Sequence, residues 1–379
     1  MGGCVRDALM GRIPKDYDIC TSALPEQMIP LFEKTIPTGL KHGTVTVILN
    51  NLAFEVTTFR TDSEYTDHRR PDAVLFSSSL PQDLKRRDFT INAMAFHPAK
   101  GLVDPFGGKD DLNKKIIRTV GDPRERFHED ALRMLRAIRF KARFGFSMDT
   151  AALDAIREMA GTIRYVSQER ILAELNGILL SPYPDEIKVV FETGLSEYIF
   201  PSGAAEDHAY DRLKLLPEKL SLRWAMLLRV LGITGELELQ LFCENMRMSN
   251  ALMRDIITTL AVLRGKLPET GYNLRKTIAE VGMTILCDAL ALAEAINPLY
   301  ADFRTVRQLF DEITLQQHCT SLTALAVNGA DLLNAGFPPG KALGALLEAL
   351  FICVLQKPEL NRKELLLDFA QQIKAKLSS

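Results

Sequence analysis

The sequence predicts an α+β protein in which a small mixed head precedes a long helical region. Alternating β-branched runs occur only before about residue 115, whereas amphipathic helical periodicity prevails beyond residue 120. The chain has 379 residues, which is more than one compact core usually holds. We therefore expect a head over residues 1–118, a helical neck over 119–200, and a helical body and tail over 201–379.

Composition places the chain among ordinary globular proteins, with 47% hydrophobic and 25% charged residues. The six cysteines are scattered and form no CxxC pair, which argues against a zinc ribbon or a disulfide framework and favours a cytoplasmic setting. The longest apolar run, residues 342–355, contains Glu348 and is too short to span a bilayer, so we expect no membrane association. The net charge of −2 means that a nucleic acid would be bound through local basic patches.

A β-hairpin is predicted in the head, with strands at residues 44–49 and 53–59. Both runs alternate β-branched residues with others. The pair Asn50-Asn51 between them favours a tight turn, because asparagine tolerates positive φ. The second strand carries Glu55.

The first twenty residues contain the pattern with the clearest chemical meaning. Asp16 and Asp18 are two residues apart, so on an extended strand their carboxylates point to the same face. Carboxylates that close repel each other unless a cation lies between them. Gly2, Gly3 and Arg6 form a glycine-rich turn that leads into a short helix, which brings N–H groups and a guanidinium beside the acid pair. This combination suits a nucleoside triphosphate with its magnesium ions.

Glu55 becomes a third carboxylate if its strand neighbours the one that carries Asp16 and Asp18. Three acids around two cations fit the two-metal scheme for in-line attack on an α-phosphate. The alternatives are a solvated turn for the acid pair and a solvent-facing strand position for Glu55.

Residues 60–76 are polar, carry both signs of charge and lack periodicity, which predicts a loop leaving the hairpin. Its length and the Arg69-Arg70-Pro71 centre favour a loop that acts over the site. An ordinary surface loop is the alternative.

Residues 83–96 are predicted to place Arg86, Arg87 and Asp88 ahead of an apolar-periodic helix. Cations at the start of a helix oppose its dipole, so an anion should compensate them. Asp88 could do this locally, and a bound triphosphate is the other candidate.

A longer helix is predicted over residues 129–144. One arc carries Ala131, Met134, Leu135, Ile138 and Ala142, and the opposite arc carries Arg133, Arg136, Arg139 and Arg143. An arginine stripe is usually a solvated face. With Glu129 and Asp130 at the start of this helix, the other interpretation is that acids and arginines together hold a nucleotide base and its phosphates.

Together these stretches resemble the class II tRNA nucleotidyltransferase and bacterial poly(A) polymerase family. GGCVRD and DYD are similar to its metal-binding motif, RRDFTINA to its second motif, and EDALRMLRAIRF to the helix that reads the incoming nucleotide. SQERILAEL, at residues 167–175, resembles a further helical motif of the neck. The resemblance is dense from residue 2 to about residue 200. It implies a DNA polymerase beta-like nucleotidyltransferase head followed by a helical neck, body and tail.

The resemblance also implies roles for individual residues. Gly3 and Arg6 would contact the triphosphate, and Asp16 and Asp18 would bind Mg²⁺. Contacts to ATP or CTP would come from Arg87, Asp130, Arg133, Arg136 and Arg139. In this family the protein itself acts as the template, because an acid and an arginine mimic the Watson–Crick partners of C and A. Asp130 and Arg133 match that pair.

The implied activity is magnesium-dependent addition or repair of the 3′-terminal CCA of tRNA from CTP and ATP, with release of pyrophosphate. The loop at 60–76 favours full CCA addition, ahead of an A-adding enzyme and then a poly(A) polymerase. Members carry a helix and a strand before the Gly-Gly pair, and this sequence begins at Met1. Either the start codon is misassigned or this form is impaired, so the alternative from another class is a catalytically impaired RNA- or nucleotide-binding protein that lacks the first head strand. The oligomeric state is left open.

Overall fold

The computed structural model describes residues 1–62, 74–200, 207–265, 268–297 and 301–377. The strands are β1 (Ile19–Thr21), β2 (Thr35–Gly39), β3 (Thr44–Leu49), β4 (Leu52–Thr58), β5 (Arg60–Asp62), β6 (Val74–Phe76), β7 (Ala95–His97), β8 (Gly101–Val103), β9 (Ile116–Ile117) and β10 (Ser147–Met148). The helices up to residue 200 are α1 (Gly3–Leu9), α2 (Pro25–Met28), α3 (Leu80–Lys85), α4 (Gly108–Lys114), α5 (Pro123–Glu129), α6 (Leu132–Phe144), α7 (Thr150–Met159), α8 (Gln168–Leu179), α9 (Lys188–Glu192) and α10 (Ser196–Ile199). Those that follow are α11 (Leu220–Val230), α12 (Glu236–Asn245), α13 (Asn250–Arg264), α14 (Gly271–Val281), α15 (Met283–Ile296), α16 (Ala301–Leu315), α17 (Gly329–Asn334), α18 (Lys341–Gln356) and α19 (Lys363–Leu377).

The head is built on a four-stranded sheet of order β1-β4-β3-β2. Strand β1 is parallel to β4, with Ile19 opposite Val56, and the other pairs are antiparallel. The predicted hairpin is confirmed by β3 and β4. Its turn residues Asn50 and Asn51 have φ of 49° and 62°, as a two-residue turn with positive φ requires.

One face of this sheet is apolar and the other is polar, because side chains alternate along each strand. Val45, Val47 and Val56 are buried in a cluster with Met28 of α2. Thr44 and Thr57 lie on the opposite face, where their hydroxyl oxygens are 3.0 Å apart. The polar face is therefore left available for a functional site.

The glycine-rich turn leads into α1, as predicted, and its geometry requires glycine. Gly2 has φ of 77°, its N–H donates to the Met94 carbonyl at 2.8 Å, and a Cβ there would lie 2.6 Å from Nη1 of Arg87. The strand prediction for the acid pair is wrong in its bounds. Asp16 and Asp18 precede β1, which begins at Ile19.

The helix predicted to follow Asp88 within residues 83–96 is wrong. Helix α3 ends at Lys85, Phe89 is extended and bridges to Thr119, a 3₁₀ turn covers Thr90–Asn92, and β7 follows. The physical reason is that Phe89, Ile91, Ala93 and Met94 are all fully buried, so this segment has no polar face that a surface helix would present.

The arginine-bearing helix begins later than predicted. Helix α5 ends at Glu129, Asp130 is extended with φ of −147°, and α6 starts at Leu132. Oδ1 of Asp130 accepts a hydrogen bond from the Leu132 N–H at 3.1 Å, which satisfies one of the free donors at a helix start. The apolar arc is confirmed, since Ala131, Met134, Leu135, Ile138 and Ala142 are fully buried.

In the described residues beyond 120, helices prevail, as predicted, and the one strand is the short β10, which pairs in parallel with β9. The chain divides into two compact units. The first comprises Met1–Arg223, Val230–Ile233 and Leu241–Met248, and the second comprises Trp224–Arg229, Thr234–Gln240 and Ser249–Ser379. The second has one buried cluster on α14, α15 and α16 and another around α17, α18 and α19. Among the described residues, no helix is both long and apolar enough to cross a membrane.

Candidate active site

The first unit contains a cavity of about 410 Å³, which we call the arginine cavity. Its lining comes from the head sheet, from the segment after α3, and from α6 and α8. The charged lining residues are Asp18, Arg60, Arg86, Arg87, Asp88, Asp130, Arg133, Arg136 and Arg170, joined by Thr44 and Thr57 of the polar sheet face. Six arginines face three aspartates, so the cavity has an excess of positive charge that suits a polyanion such as a triphosphate.

Asp88 connects the segment after α3 to helix α6. Its Oδ2 accepts hydrogen bonds from Nε and Nη2 of Arg136 at 2.9 and 2.6 Å, and its Oδ1 accepts from the Phe89 N–H and from Asn92. Burial by itself would raise the pKa of Asp88, but the charge and hydrogen bonds of Arg136 and the hydrogen bond from Asn92 lower it overall. Asp88 is therefore an anion that fixes Arg136 at the cavity wall.

Arg86 and Arg87 are compensated by Asp83 rather than by Asp88, the local candidate. Nη2 of Arg86 lies 2.7 Å from Oδ1 of Asp83, and Nε of Arg87 lies 3.7 Å from Oδ2. Lys85 and Arg86 also end α3, where cations match the helix dipole instead of opposing it. The expected conflict with the dipole is therefore absent.

Asp130 and Arg133 lie together in the arginine cavity and each is held by the protein. Oδ2 of Asp130 accepts from Nη2 of Arg170 at 2.7 Å. Arg133 donates to the carbonyls of Arg126 and Arg86 at 3.1 and 3.0 Å, and it pairs with Glu129. Both groups are fixed in direction, which is what recognition of a flat base edge requires.

Arg139 does not line either cavity described here. It pairs with Glu174 of α8, and its guanidinium carbon lies 4.5 Å from the ring centre of Phe140. Gly177 lets the two helices approach, because a Cβ there would lie 2.4 Å from Cδ of Arg139. Arg133 and Arg139 of the arginine stripe are therefore mostly buried, whereas Arg143 at its far end keeps 43% of its side-chain surface exposed.

A second cavity of about 620 Å³ contains Asp16 and Asp18, and we call it the acid-pair cavity. It is lined by Gly3, Cys4, Arg6, Asp7, Arg12, Lys15, Asp16, Asp18, Arg143, Gly177, Leu180, Ser181 and Pro182. Asp18 lines both cavities, so the acid pair lies where the two spaces adjoin. Burial and then the charge of Arg6 lower the pKa of Arg143.

Arg6 is buried and is held by several contacts within the protein. It is 4% exposed, donates from Nη1 to Asn92 at 2.5 Å, pairs with Asp7, and lies 4.8 Å from the ring centre of Phe144. Asn92 in turn donates to Asp88 at 3.2 Å. A polar chain thus runs from the helix after the glycine turn to Arg136 on α6.

The acid pair has the donor chemistry that a hard divalent cation prefers. Asp16 and Asp18 are exposed, and neither side chain is paired with another described residue. Mg²⁺ commonly binds through one or two carboxylates together with substrate phosphates and water, so this pair fits it. Within the described part of the chain, no group of three or more His, Cys, Asp or Glu is close enough to hold a metal ion.

Glu55 stays a prediction as the third carboxylate. It is exposed on β4 and, in the parallel register that pairs Ile19 with Val56, it is level with Asp18. It shares the polar face of the sheet with Thr57, which lines the arginine cavity. It lines neither cavity itself.

The sequence did not predict Arg60 and Arg170 as cavity residues, and it predicted Arg86 only as a cation that a triphosphate could compensate. Arg60 directly follows the hairpin, and Arg86 precedes the predicted contact Arg87. Arg170 lies within SQERILAEL, the neck stretch whose resemblance to a family motif implies no role for a single residue. The predicted loop at 60–76 has residues 63–73 outside the described part of the chain.

Three family models match this chain. The Poly A polymerase head domain matches residues 1–118, an RNA- and SrmB-binding site of polymerase A matches residues 145–206, and tRNA nucleotidyltransferase domain 2 matches residues 217–370. The first covers the polar sheet face, the glycine turn and the acid pair.

Similar proteins match over nearly the whole chain. The CCA-adding enzymes of Geobacillus kaustophilus and Anoxybacillus flavithermus are 37% and 38% identical, over 96% and 98% of this chain and 90% and 91% of their own lengths. The crystal structure of the Bacillus stearothermophilus CCA-adding enzyme in complex with CTP is 32% identical with a TM-score of 0.79, and covers 100% of this chain and 93% of that one. The chain therefore belongs to the class II tRNA nucleotidyltransferase and poly(A) polymerase family, as the resemblance of its motifs predicted.

Proposed function

We propose that this protein adds or repairs the 3′-terminal CCA of tRNA, using CTP and ATP and releasing pyrophosphate. The observation that carries the proposal is the arginine cavity, which joins Asp130 and Arg133 to Asp18 of the acid pair. Relatives that are 35–38% identical over most of this chain are CCA-adding enzymes, and one similar structure is a complex with CTP. These observations support a nucleotide in this cavity and a tRNA 3′ end beside it.

The base is selected by Asp130 and Arg133. Cytosine and adenine each present an amino donor next to a ring-nitrogen acceptor on their pairing edges, and a carboxylate with a guanidinium supplies the complementary acceptor and donors. Uracil and guanine place a carbonyl where that amino group would be, so Asp130 repels them. The anchoring of Arg133 to the Arg126 and Arg86 carbonyls limits its movement, which favours one orientation of the base.

The triphosphate is held by positive charge and by backbone donors. Arg87 and Arg136 line the arginine cavity, and Gly3 and Arg6 line the acid-pair cavity next to it. Arg139 supports these residues indirectly, because its ion pair with Glu174 holds α6 against α8. These charges offset the negative charge that develops on the phosphate oxygens during transfer.

Asp16 and Asp18 would hold the magnesium ions, with Glu55 on the adjoining strand as a third acid. When bound, such ions lower the pKa of the attacking hydroxyl and neutralise the leaving pyrophosphate. The tRNA 3′-hydroxyl forms the new bond to the α-phosphate as the bond to pyrophosphate breaks. The protein contributes position and charge, and no covalent enzyme intermediate is required.

Full CCA addition is proposed ahead of A-only addition and polyadenylation, on the resemblance of residues 60–76 to the loop of enzymes that add the terminal A. All six cysteines are unpaired, which supports a reducing, cytoplasmic setting.

The test is incorporation of labelled CTP and ATP into tRNA that lacks its CCA end, with Mg²⁺ present. The wild-type chain should extend the tRNA by C, C and A, whereas Asp16→Ala and Asp18→Ala should lose this activity. Both residues are exposed, so far-UV circular dichroism should stay unchanged. Asp154→Ala, at an exposed position of α7, is the matched control and should keep full activity.

Binding of tRNA by the wild-type chain without any incorporation would contradict the proposal and favour an RNA-binding protein. Incorporation of A alone, into tRNA that ends in CC, would identify an A-adding enzyme. Extension of any RNA by many A residues would identify a poly(A) polymerase.

A further inference from the structure

We propose that Arg170 is a positioning residue for base selection, which holds Asp130 as a fixed hydrogen-bond acceptor. The inference rests on the proposed function and adds to it a specificity-determining residue outside the acid–arginine pair. It also gives a role to Arg170 of the SQERILAEL stretch, to which the proposed reaction assigns none.

The contact between Arg170 and Asp130 is direct and joins α8 to the residue before α6. Nη2 of Arg170 donates to Oδ2 of Asp130 at 2.7 Å, across 40 residues of sequence. The other oxygen, Oδ1, accepts from the Leu132 N–H at 3.1 Å. With one partner on each oxygen, the carboxylate cannot rotate freely, yet each oxygen keeps a lone pair for a ligand.

Arg170 is also incompletely satisfied by the protein. Its Nη1 is buried and has no hydrogen-bond partner among the described residues, although its side chain lines the arginine cavity. A buried donor without a partner is costly, so a purely structural arginine would be expected to use it. An acceptor on a bound nucleotide would satisfy it.

The helix that carries Arg170 is held firmly against α6. Glu174, one turn further along α8, pairs with Arg139 and lies 3.8 Å from Arg136. The ion-pair partners of Glu174 are thus two arginines of α6, and neither Asp130 nor Arg133 is among them. It therefore offers a comparison in which the helix contact is weakened but the Asp130 carboxylate keeps its partner.

The expected consequence of losing Arg170 concerns the choice of base more than overall binding. An Asp130 side chain with one fixed oxygen can turn away from the carbonyl of uracil or guanine, which relieves the repulsion that excludes them. The Asp130 carboxylate also accepts a hydrogen bond from the amino group of cytosine or adenine for a smaller fraction of the time. Selectivity for CTP and ATP over UTP and GTP should therefore fall.

The experiment compares Arg170→Gln with Glu174→Gln and with Arg157→Gln, an exposed arginine of α7 outside the site. For each variant, kcat/KM is measured with CTP, ATP, UTP and GTP. The substrate is tRNA that lacks its CCA end when CTP is the correct nucleotide, and tRNA that ends in CC when ATP is. Arg170→Gln should lower kcat/KM for CTP and ATP by about 10- to 100-fold, the effect of one lost charge-assisted hydrogen bond. The ratio of correct to incorrect nucleotide should fall at least about tenfold with it.

Glu174→Gln should lower thermal stability and reduce all four rates by a similar factor, so the ratio stays at its wild-type value. Arg157→Gln should match the wild type throughout. Should Arg170→Gln fail to fold, Arg170→Lys carries the test, because lysine keeps a positive charge but lacks the guanidinium Nη2 donor that holds Oδ2 of Asp130, so the ratio should again fall.

An unchanged ratio in a folded Arg170 variant, or an equal loss of selectivity in Glu174→Gln, would overturn the positioning role while leaving the proposed function intact. A wild-type chain that incorporates no nucleotide at all would instead refute the proposed function itself. The two failures are thus distinguished by the wild-type measurement.

Discussion

Replacing Asp88 with asparagine tests whether the polar chain through the site also stabilises the first unit. Asp88 is buried, while Arg136 keeps 34% of its side-chain surface exposed. Removing one member of a buried, hydrogen-bonded ion pair typically costs about 3–5 kcal/mol. The partial exposure of Arg136 lets water replace part of the lost interaction, so we expect about 3 kcal/mol, the low end of that range. Asparagine keeps the side-chain shape, so the loss reports charge and hydrogen bonding rather than a cavity.

The assay is urea unfolding followed by far-UV circular dichroism at neutral pH and again at decreasing pH. The midpoint of Asp88→Asn should fall by about 1–2 M urea at pH 7. Because Arg136 lowers the folded-state pKa of Asp88, its stabilising effect is complete above the unfolded pKa of about 3.9 and is lost as pH falls through the folded value. The difference between wild type and variant should therefore shrink in acid.

A double-mutant cycle with Arg136→Gln separates the pair from its surroundings. The combined variant should be less destabilised than the sum of the two single variants, since neither charge is then left unpaired. Asp154→Asn, in an exposed pair with Arg157, is the control and should shift the midpoint by less than about 0.3 M. Additive single effects, or a difference that grows in acid, would refute the reasoning.

Further predictions concern single positions and use the same protein. Gly108→Ala should destabilise the chain by about 1–3 kcal/mol in urea unfolding, because the new Cβ would lie 2.2 Å from the Thr90 carbonyl oxygen. Gly344→Ala should stabilise by about 0.5–1 kcal/mol, since it lies within α18 with nothing within 4 Å of the added Cβ, and a loss there would contradict the helix assignment. Burial raises the pKa of Cys243 to about 11, so iodoacetamide at pH 8 should leave Cys243 unmodified and label the exposed Cys287, as checked by peptide mass mapping.

The elements that sequence predicts well are those whose signal is local. The hairpin of β3 and β4 follows from alternation and from two asparagines that accept positive φ, and both properties belong to the turn itself. The apolar arc of α6 likewise follows from helical spacing, and Met134, Leu135 and Ile138 are fully buried as the spacing requires.

The elements that sequence predicts poorly are those whose conformation depends on distant contacts. Residues 83–96 have an apolar content that fits a helix, but Phe89 bridges to Thr119, and the Thr90 N–H donates a hydrogen bond to the Arg118 carbonyl at 3.0 Å. These pairings extend the chain and bury it on all sides. The same holds at Asp130, which leaves helical geometry where α5 ends and uses its side chain to begin α6.

In the candidate site, the types of residue can be predicted from the sequence, but their pairing partners cannot. The motifs identify Asp130, Arg133 and Arg136 as a group, because acids and arginines at helical spacing are visible in one stretch of sequence. Nothing in that stretch shows that Arg136 pairs with Asp88 or that Asp130 pairs with Arg170, since these partners are 48 and 40 residues away. An arginine stripe on one helix is ambiguous between a solvated face and a binding face until the opposing carboxylates are known. Here Asp88, which precedes the stripe in sequence, pairs with Arg136, and Glu174, which follows it, pairs with Arg139. Asp130 and Arg170 line the arginine cavity, where they can take part in recognition of a base.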